Sequence, residues 1–219
     1  MKNVLVTGGA KGIGKAICDE FRSCGYNVFS PARQEMDISN PDSIHNYAES
    51  LKTAIDILVN NAGINILGGI EEIDENDIAA MINTNLTGPL ALIKAIVPYM
   101  KKNGYGRIIN VSSIWGVRSK ERRLLYSASK FGINGVTKSL AGELGKYNIL
   151  VNSVAPGYVN TELTQKNVSP EEQAKIKSTI PLGRFAEPCE IAKVVRFLGS
   201  EDNTYITGQV ITADGGFLA

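Results

Sequence analysis

The sequence predicts an α/β protein, a doubly wound parallel sheet with helices on both faces. Short apolar runs alternate with stretches whose apolar residues recur at helical spacing. A glycine-rich turn joins the first such run to the first such stretch. No repeat, linker or low-complexity segment divides the chain, so residues 1–219 read as one domain, long enough to bury a proper core.

The first strand is predicted near 3–7, where Asn3-Val4-Leu5-Val6 is a short apolar run. Helix is predicted near 13–24, from the spacing of apolar residues in Lys15-Ala16-Ile17-Cys18-Asp19-Glu20-Phe21. A second strand near 26–30 precedes a helix near 40–51, which opens at Ser39-Asn40-Pro41-Asp42. The third strand-like run is Ile55-Asp56-Ile57-Leu58-Val59. A long helix near 75–102 then leads to a strand near 106–112, and a second long helix near 126–146 leads to a strand near 149–154. Helices near 170–178 and 188–199 and a strand near 209–213 complete the pattern.

Two groups of residues carry chemistry. Thr7-Gly8-Gly9-Ala10-Lys11-Gly12-Ile13-Gly14 lies between strand and helix, the context that a dinucleotide-binding fingerprint requires. Glycines let backbone approach a pyrophosphate, and the helix N-terminus offers free N–H groups and the positive end of its dipole. A tight turn without a ligand is the plainer alternative. Ser113, Tyr126 and Lys130 form the second group. Tyr126 and Lys130 are four residues apart and share one helix face, so an ammonium can sit beneath a phenol. A free phenol titrates near about pH 10, and a neighbouring cation would bring it toward the working range of a general acid or base.

These residues resemble the short-chain dehydrogenase/reductase family, and the resemblance runs from Met1 to nearly the last residue. It is carried by the glycine pattern, by Asn60-Asn61-Ala62-Gly63, by Asn85-Leu86-Thr87-Gly88 and by Gly106-Arg107-Ile108-Ile109-Asn110-Val111-Ser112-Ser113. Pro156-Gly157, Thr161, Ile206-Thr207-Gly208-Gln209 and Asp214-Gly215-Gly216 continue it. Pro181 to Arg184 and the Asp-Gly-Gly ending are similar to 3-oxoacyl-carrier-protein reductases and their relatives, a group that also acts on sugars, polyols, steroids and antibiotics. The resemblance implies a Rossmann fold and reversible carbonyl–alcohol redox chemistry. It implies a catalytic tetrad of Asn85, Ser113, Tyr126 and Lys130: Ser113 orients the substrate oxygen, Tyr126 moves the proton, and Lys130 lowers the Tyr126 pKa and holds the nicotinamide ribose. Asn85 would fix Lys130 through a water and a local kink. Cofactor contacts are implied for Gly8, Lys11, Gly12, Ile13, Gly14, Arg33, Asp37, Ile38, Asn61, Ala62, Gly63, Tyr126, Lys130, Pro156, Gly157, Val159 and Thr161. Asp37 would accept from the adenine amino group.

The chain departs from the family layout after its second strand. Only Ala32-Arg33-Gln34-Glu35-Met36 separates Pro31 from Asp37, too few residues for the crossover that parallel neighbours need. The helix between the family's second and third strands is expected to be absent, and that third strand vestigial. The shortening resembles that of some sugar-nucleotide reductases. The same segment bears on the cofactor. NAD enzymes place a carboxylate near the end of the second strand for the ribose 2′-hydroxyl. Here that position aligns with Ala32, followed by Arg33, whose guanidinium suits a 2′-phosphate. With Lys11 as a second cation, NADP(H) is favoured over NAD(H). Arg33 as a solvated loop residue, and Glu35 reaching the ribose, remain the alternatives.

Composition narrows the partners. With 23 Lys and Arg against 22 Asp and Glu, no global attraction to nucleic acid or membrane is implied. Three cysteines, Cys18, Cys24 and Cys189, form no CxxC and include an odd one, which suits reduced thiols in the cytoplasm. No signal segment is read at the N-terminus, and no run is expected to reach the length of a membrane span. His45, the only histidine, reads as a solvated helix residue, and no metal site is expected. Between Ser113 and Tyr126 the segment Arg118-Ser119-Lys120-Glu121-Arg122-Arg123 packs four cations against one acid. It would meet an anionic substrate, with Arg118 and Arg122 affecting KM, or else face solvent or another subunit. Trp115, the only tryptophan, would wall the pocket or pack in the core. Residues 160–180 suit a short substrate lid. The family resemblance implies a homodimer or homotetramer, with Leu90, Leu92, Ile93, Ile96 and Val97 as material for its face or for the sheet. A dinucleotide-sensing protein without catalysis is the reading from a different class, and the retained Asn85, Ser113, Tyr126 and Lys130 argue against it.

Overall fold

The computed structural model describes the backbone of residues 1–219, and all side chains except those of Leu163, Lys166 and Asn167. Six strands form one parallel sheet in the order β2-β1-β3-β4-β5-β6, comprising β1 Asn3–Val6, β2 Asn27–Phe29, β3 Ile57–Asn60, β4 Gly106–Val111, β5 Ile149–Pro156 and β6 Val210–Ala213. Every residue of β3, β4 and β5 is buried, as expected of central strands covered on both faces. Helices α1 (Gly12–Ser23) and α8 (Pro188–Gly199) pack on one face around Phe21, Ile109, Val195 and Leu198. On the other, α2 (Pro41–Ser50), α4 (Gly88–Asn103) and α5 (Leu124–Leu144) enclose Leu5, Leu58, Ile96 and Ile108.

The chain runs from β2 back past β1 to β3, so the strand order reverses between β1 and β3. In open α/β sheets a crevice opens at the carboxyl ends beside such a switch point. The glycine loop follows β1 and Asn61-Ala62-Gly63 follows β3, which puts both at that crevice. A buried polar chain ties the neighbouring strands together. Asn60 donates to Asn110 (2.9 Å), Asn110 donates to Thr137 (2.9 Å), and Thr137 meets Ser153 (2.7 Å). Side-chain hydrogen bonds thereby link β3, β4, α5 and β5 below the crevice.

The missing crossover is confirmed. Among the described residues no strand lies between β2 and α2. Residues 32–36 form a turn instead, with Glu35 N–H and Met36 N–H donating to the Ala32 carbonyl at 2.9 and 3.0 Å. The Glu35 carboxylate accepts the Ala32 N–H (2.7 Å), so Glu35 folds back into its own turn rather than reaching outward. Met36 and Ile38 then enter the core.

The helix expected over 75–102 is divided. Helix α3 (Glu75–Ile82) passes into a π turn at Asn83–Thr87 before α4 begins. This run, Glu75–Asn103, is 29 residues and apolar enough by length and composition to cross a membrane, which corrects the expectation that no run reaches that length. Met81, Leu92, Ile93, Ile96 and Met100 are nevertheless buried within the fold, the signature of core helices. Of the apolar residues considered for a subunit face, Leu92, Ile93 and Ile96 pack inward, whereas Leu90 stays 37% exposed. The short helix α6 (Glu162–Asn167) precedes α7 (Pro170–Lys177), adding an element that the sequence pattern did not announce. His45 lies on α2 paired with Glu49 (3.1 Å), an exposed i,i+4 contact.

Candidate active site

The glycine loop is shaped by close approaches. Gly8 has φ of +67°, a left-handed conformation that suits glycine, and a Cβ there would come within 3.0 Å of the Ala62 Cα. A Cβ on Gly14 would overlap the Gly8 carbonyl oxygen and the Asn61 amide. Gly14→Ala is therefore expected to destabilise the fold by about 1–3 kcal/mol, read as a fall in Tm. An unchanged Tm would mean that the loop has room to shift. Thr7 fastens the loop to the segment after β3, since its Oγ1 accepts the N–H groups of Asn61 (3.0 Å) and Ala62 (2.9 Å). Asn61 in turn donates to the carbonyls of Thr7 (2.9 Å) and Gly8 (3.1 Å). Thr7 is a positioning residue that the candidate set omitted, although it heads the motif.

Lys11 is the exposed N-cap of α1, Ile13 packs partly against the core, and Gly12 approaches Thr161 across the crevice, with 3.5 Å from a Gly12 Cβ to the Thr161 Cγ2. Thr161 caps α6 through Thr164 N–H (3.3 Å). Pro156 ends β5, a Cβ on Gly157 would lie 2.8 Å from the Asp214 Cα, and Val159 is buried beside Ala186. These residues gather along the carboxyl edge of the sheet. At the far side of the loop, Arg33 donates its Nε–H to Asp37 (3.0 Å) and is otherwise exposed. Asp37 also accepts from the Ser39 hydroxyl (2.7 Å) and N–H (2.9 Å). The Ser39 bonds, assisted by Arg33, hold its carboxyl below the usual range. Ile38 is buried in the core and its carbonyl abuts Gly88.

The second group converges from two elements. Ser113 follows the last strand residue of β4 by two positions, and its Oγ accepts the Trp115 N–H (3.2 Å) and lies near enough to the Tyr126 phenol to pull its pKa down. Tyr126 and Lys130 lie on α5, with the Lys130 Nζ 5.6 Å from the phenol ring centre. Lys130 donates to the Val111 carbonyl (2.8 Å) and is buried, which pushes its ammonium down to about 8. Burial pushes the Tyr126 phenol up, against the Ser113 hydrogen bond and the Arg123 charge, which pull it down. The Lys130 ammonium points to the β4 carbonyl while lying beneath the Tyr126 ring.

Asn85 sits in the π turn, the local kink that was expected. Its side chain pairs with Ile64 in both directions, accepting the N–H and donating to the carbonyl at 2.9 Å each, and it donates to Ser129 (3.2 Å). Among the described residues Asn85 makes no direct hydrogen bond to Lys130. The two instead flank Gly63, where a Cβ would lie 3.2 Å from the Asn85 Oδ1 and 3.8 Å from the Lys130 Nζ.

A family model described as enoyl-(acyl carrier protein) reductase matches residues 29–218. The chain belongs to the short-chain dehydrogenase/reductase family. It is accordingly an oxidoreductase acting on CH–OH groups. The 3-oxoacyl-[acyl-carrier-protein] reductase FabG of Thermotoga maritima is 38% identical over 241 aligned residues, covering 99% of this chain and 98% of that protein. Its counterpart in Escherichia coli is 36% identical over 239, covering 98% and 96%. Both alignments are longer than the chain's 219 residues, so the relatives carry segments that this chain lacks. Among solved structures, ElxO with NADP bound superposes with a TM-score of 0.93 at 34% identity, covering 99% of this chain and 98% of that one. The 3-oxoacyl-[acyl-carrier protein] reductase of Brucella melitensis gives 0.90 at 31%, covering 100% and 92%.

An aromatic wall stands beside Ser113. Trp115, buried in the turn Ile114–Gly116, meets Tyr158 (6.5 Å between ring centres) and Phe217 (6.3 Å) edge to face. Tyr158 stacks on Phe185 at 5.5 Å. Trp115 is thus packed in the core against these rings. Phe217 had no sequence signal, because a C-terminal turn folded by Asp214 delivers it.

Proposed function

We propose that this protein is an NADPH-dependent reductase converting a carbonyl to a secondary alcohol, with 3-oxoacyl thioesters as the first substrate class. The observation that carries this is the Ser113–Tyr126 hydroxyl pair at the carboxyl edge of the sheet. Two neighbouring hydroxyls can both bond a single oxygen, so they suit a carbonyl better than a carbon–carbon double bond. Ser113 holds that oxygen, with the Trp115 N–H fixing its own Oγ. Tyr126, kept protonated by burial, gives the proton. Lys130, anchored on Val111, offers its remaining N–H groups toward Gly63 and the crevice. The nicotinamide cofactor supplies hydride when bound. The glycine loop, whose close packing leaves no space for side chains at Gly8 and Gly14, would cradle the pyrophosphate. The NADP-bound neighbour and the NADPH-type cation at Arg33 support the phosphorylated cofactor.

Arg33 spends its Nε–H on Asp37, which leaves the terminal nitrogens of its guanidinium free for a 2′-phosphate. Arg33→Ala is expected to raise KM for NADPH about tenfold to a hundredfold and to leave that for NADH nearly unchanged. Equal effects on both would remove Arg33 from cofactor selection. The function itself is tested by following NADPH oxidation with a short 3-oxoacyl thioester, with NADH in parallel. Absence of turnover with NADPH still bound would eliminate that substrate class and direct the search to sugar and sugar-nucleotide carbonyls.

A further inference from the structure

The four cations of residues 118–123 are not equivalent. Arg122 is committed to structure: its guanidinium grips the Glu72 carboxylate with two hydrogen bonds of 2.7 and 2.6 Å. Its φ of +61° is a left-handed conformation uncommon outside glycine, and its carbonyl accepts the Gly68 N–H (3.3 Å). Arg122 is therefore a clamp, not the substrate contact that its sequence position suggested. Arg118 and Lys120 are exposed.

What the clamp presents is the next residue. Arg123 bridges to Gly68 and directly precedes α5, three positions before Tyr126 and so on the same side of the helix. Its guanidinium lies 5.7 Å from the centre of the Trp115 ring. It is half-buried, and among the described residues no carboxylate pairs with it, in contrast to Arg122 one position earlier. Its charge reaches both phenols of the site, pulling Tyr126 and Tyr158 down against the burial that raises them. A partly desolvated guanidinium stacked on an aromatic face keeps its N–H edge available, and that edge matches a carboxylate in bidentate fashion.

We propose that Arg123 is the anion-recognising residue of this site and that the substrate is an oxo acid. Its carboxylate would bond to Arg123, its carbonyl would reach Ser113 and Tyr126, and its apolar body would lie along Trp115 and Tyr158. This rests on the carbonyl-reductase reading but replaces its thioester class with an acid: oxo acid, NADPH and a proton give hydroxy acid and NADP⁺.

The test compares each of two oxo acids, phenylglyoxylate and 4-oxopentanoate, with its own methyl ester, in wild type, Arg123→Gln and Arg123→Lys. For at least one pair, Arg123→Gln should raise KM for the acid about tenfold to a hundredfold and change that for the ester less than about twofold, with Arg123→Lys between. Equal losses for acid and ester in both pairs, or no loss, would overturn the proposal while leaving the reductase reading intact. Trp115 is the only tryptophan, so its fluorescence gives a binding readout independent of turnover. Saturable quenching by mandelate, lost in Arg123→Gln, is expected. If the wild type reduces no carbonyl, that quenching alone decides: its presence keeps the anion site without the reductase, and its absence ends both.

Discussion

Replacing Tyr126 by phenylalanine should lower kcat/KM for carbonyl reduction by about a thousandfold while leaving NADPH affinity within about twofold. The asymmetry follows from what the hydroxyl touches. Its neighbour within the protein is the Ser113 hydroxyl, which keeps its hydrogen bond from the Trp115 N–H when the phenol is gone. The glycine loop and Arg33 draw nothing from Tyr126, so cofactor binding should survive. The phenol's direction of shift adds a second signature. Burial raises it, so at neutral pH it is protonated and ready to donate, as reduction requires. Alcohol oxidation needs the phenolate and should therefore accelerate with rising pH across the alkaline range, while reduction stays level through neutrality. Turnover retained in Tyr126→Phe, measured by NADPH consumption, would sink the assignment of proton donor.

Much of this site could be read from the chain because its parts are local. A strand, a glycine turn and a helix need only neighbouring residues to declare themselves, and the structure sets β1 and α1 within a residue or so of the predicted bounds. The short 32–36 connection could be read for the same reason, since chain length alone forbids a crossover there. The features that escaped depend on distant partners. Arg122 and Arg123 are adjacent and chemically identical, and only Glu72, fifty residues earlier, separates clamp from candidate ligand contact. The i,i+4 spacing put Lys130 beside Tyr126 but could not show that the ammonium would point at the Val111 carbonyl. The π turn at Asn83–Thr87 leaves no mark on apolar periodicity, so only the family resemblance implied a kink there, and the contact with Ile64 that it gives Asn85 was not foreseen.

Lys130→Met should abolish most activity and at the same time stabilise the protein near neutral pH. Lys130 is buried with a backbone carbonyl as its hydrogen-bond acceptor, and desolvation is the cause that takes its ammonium from 10.5 to about 8. Between those values the unfolded chain binds the proton and the folded chain does not. The unfolding free energy of the wild type therefore climbs with pH across that window, by about 3 kcal/mol. Stability is thus highest above the unfolded pKa and is lost as pH falls through the folded one, so at pH 7 the cost of the buried charge is fully present. Methionine removes that cost but leaves the Val111 carbonyl without its donor, which returns about 1–2 kcal/mol. The variant should then be more stable than wild type by about 1–2 kcal/mol at pH 7, a rise in Tm of a few degrees. The advantage should vanish or reverse near pH 11. Other titrating groups are common to both proteins and cancel in the difference, which urea unfolding at several pH values would measure. A difference independent of pH would show that Lys130 is not desolvated in the folded protein. A stability gain joined to loss of turnover would show why the charge is held there: a buried ammonium that weakens the fold persists where the chemistry needs a cation beside Tyr126 and Gly63.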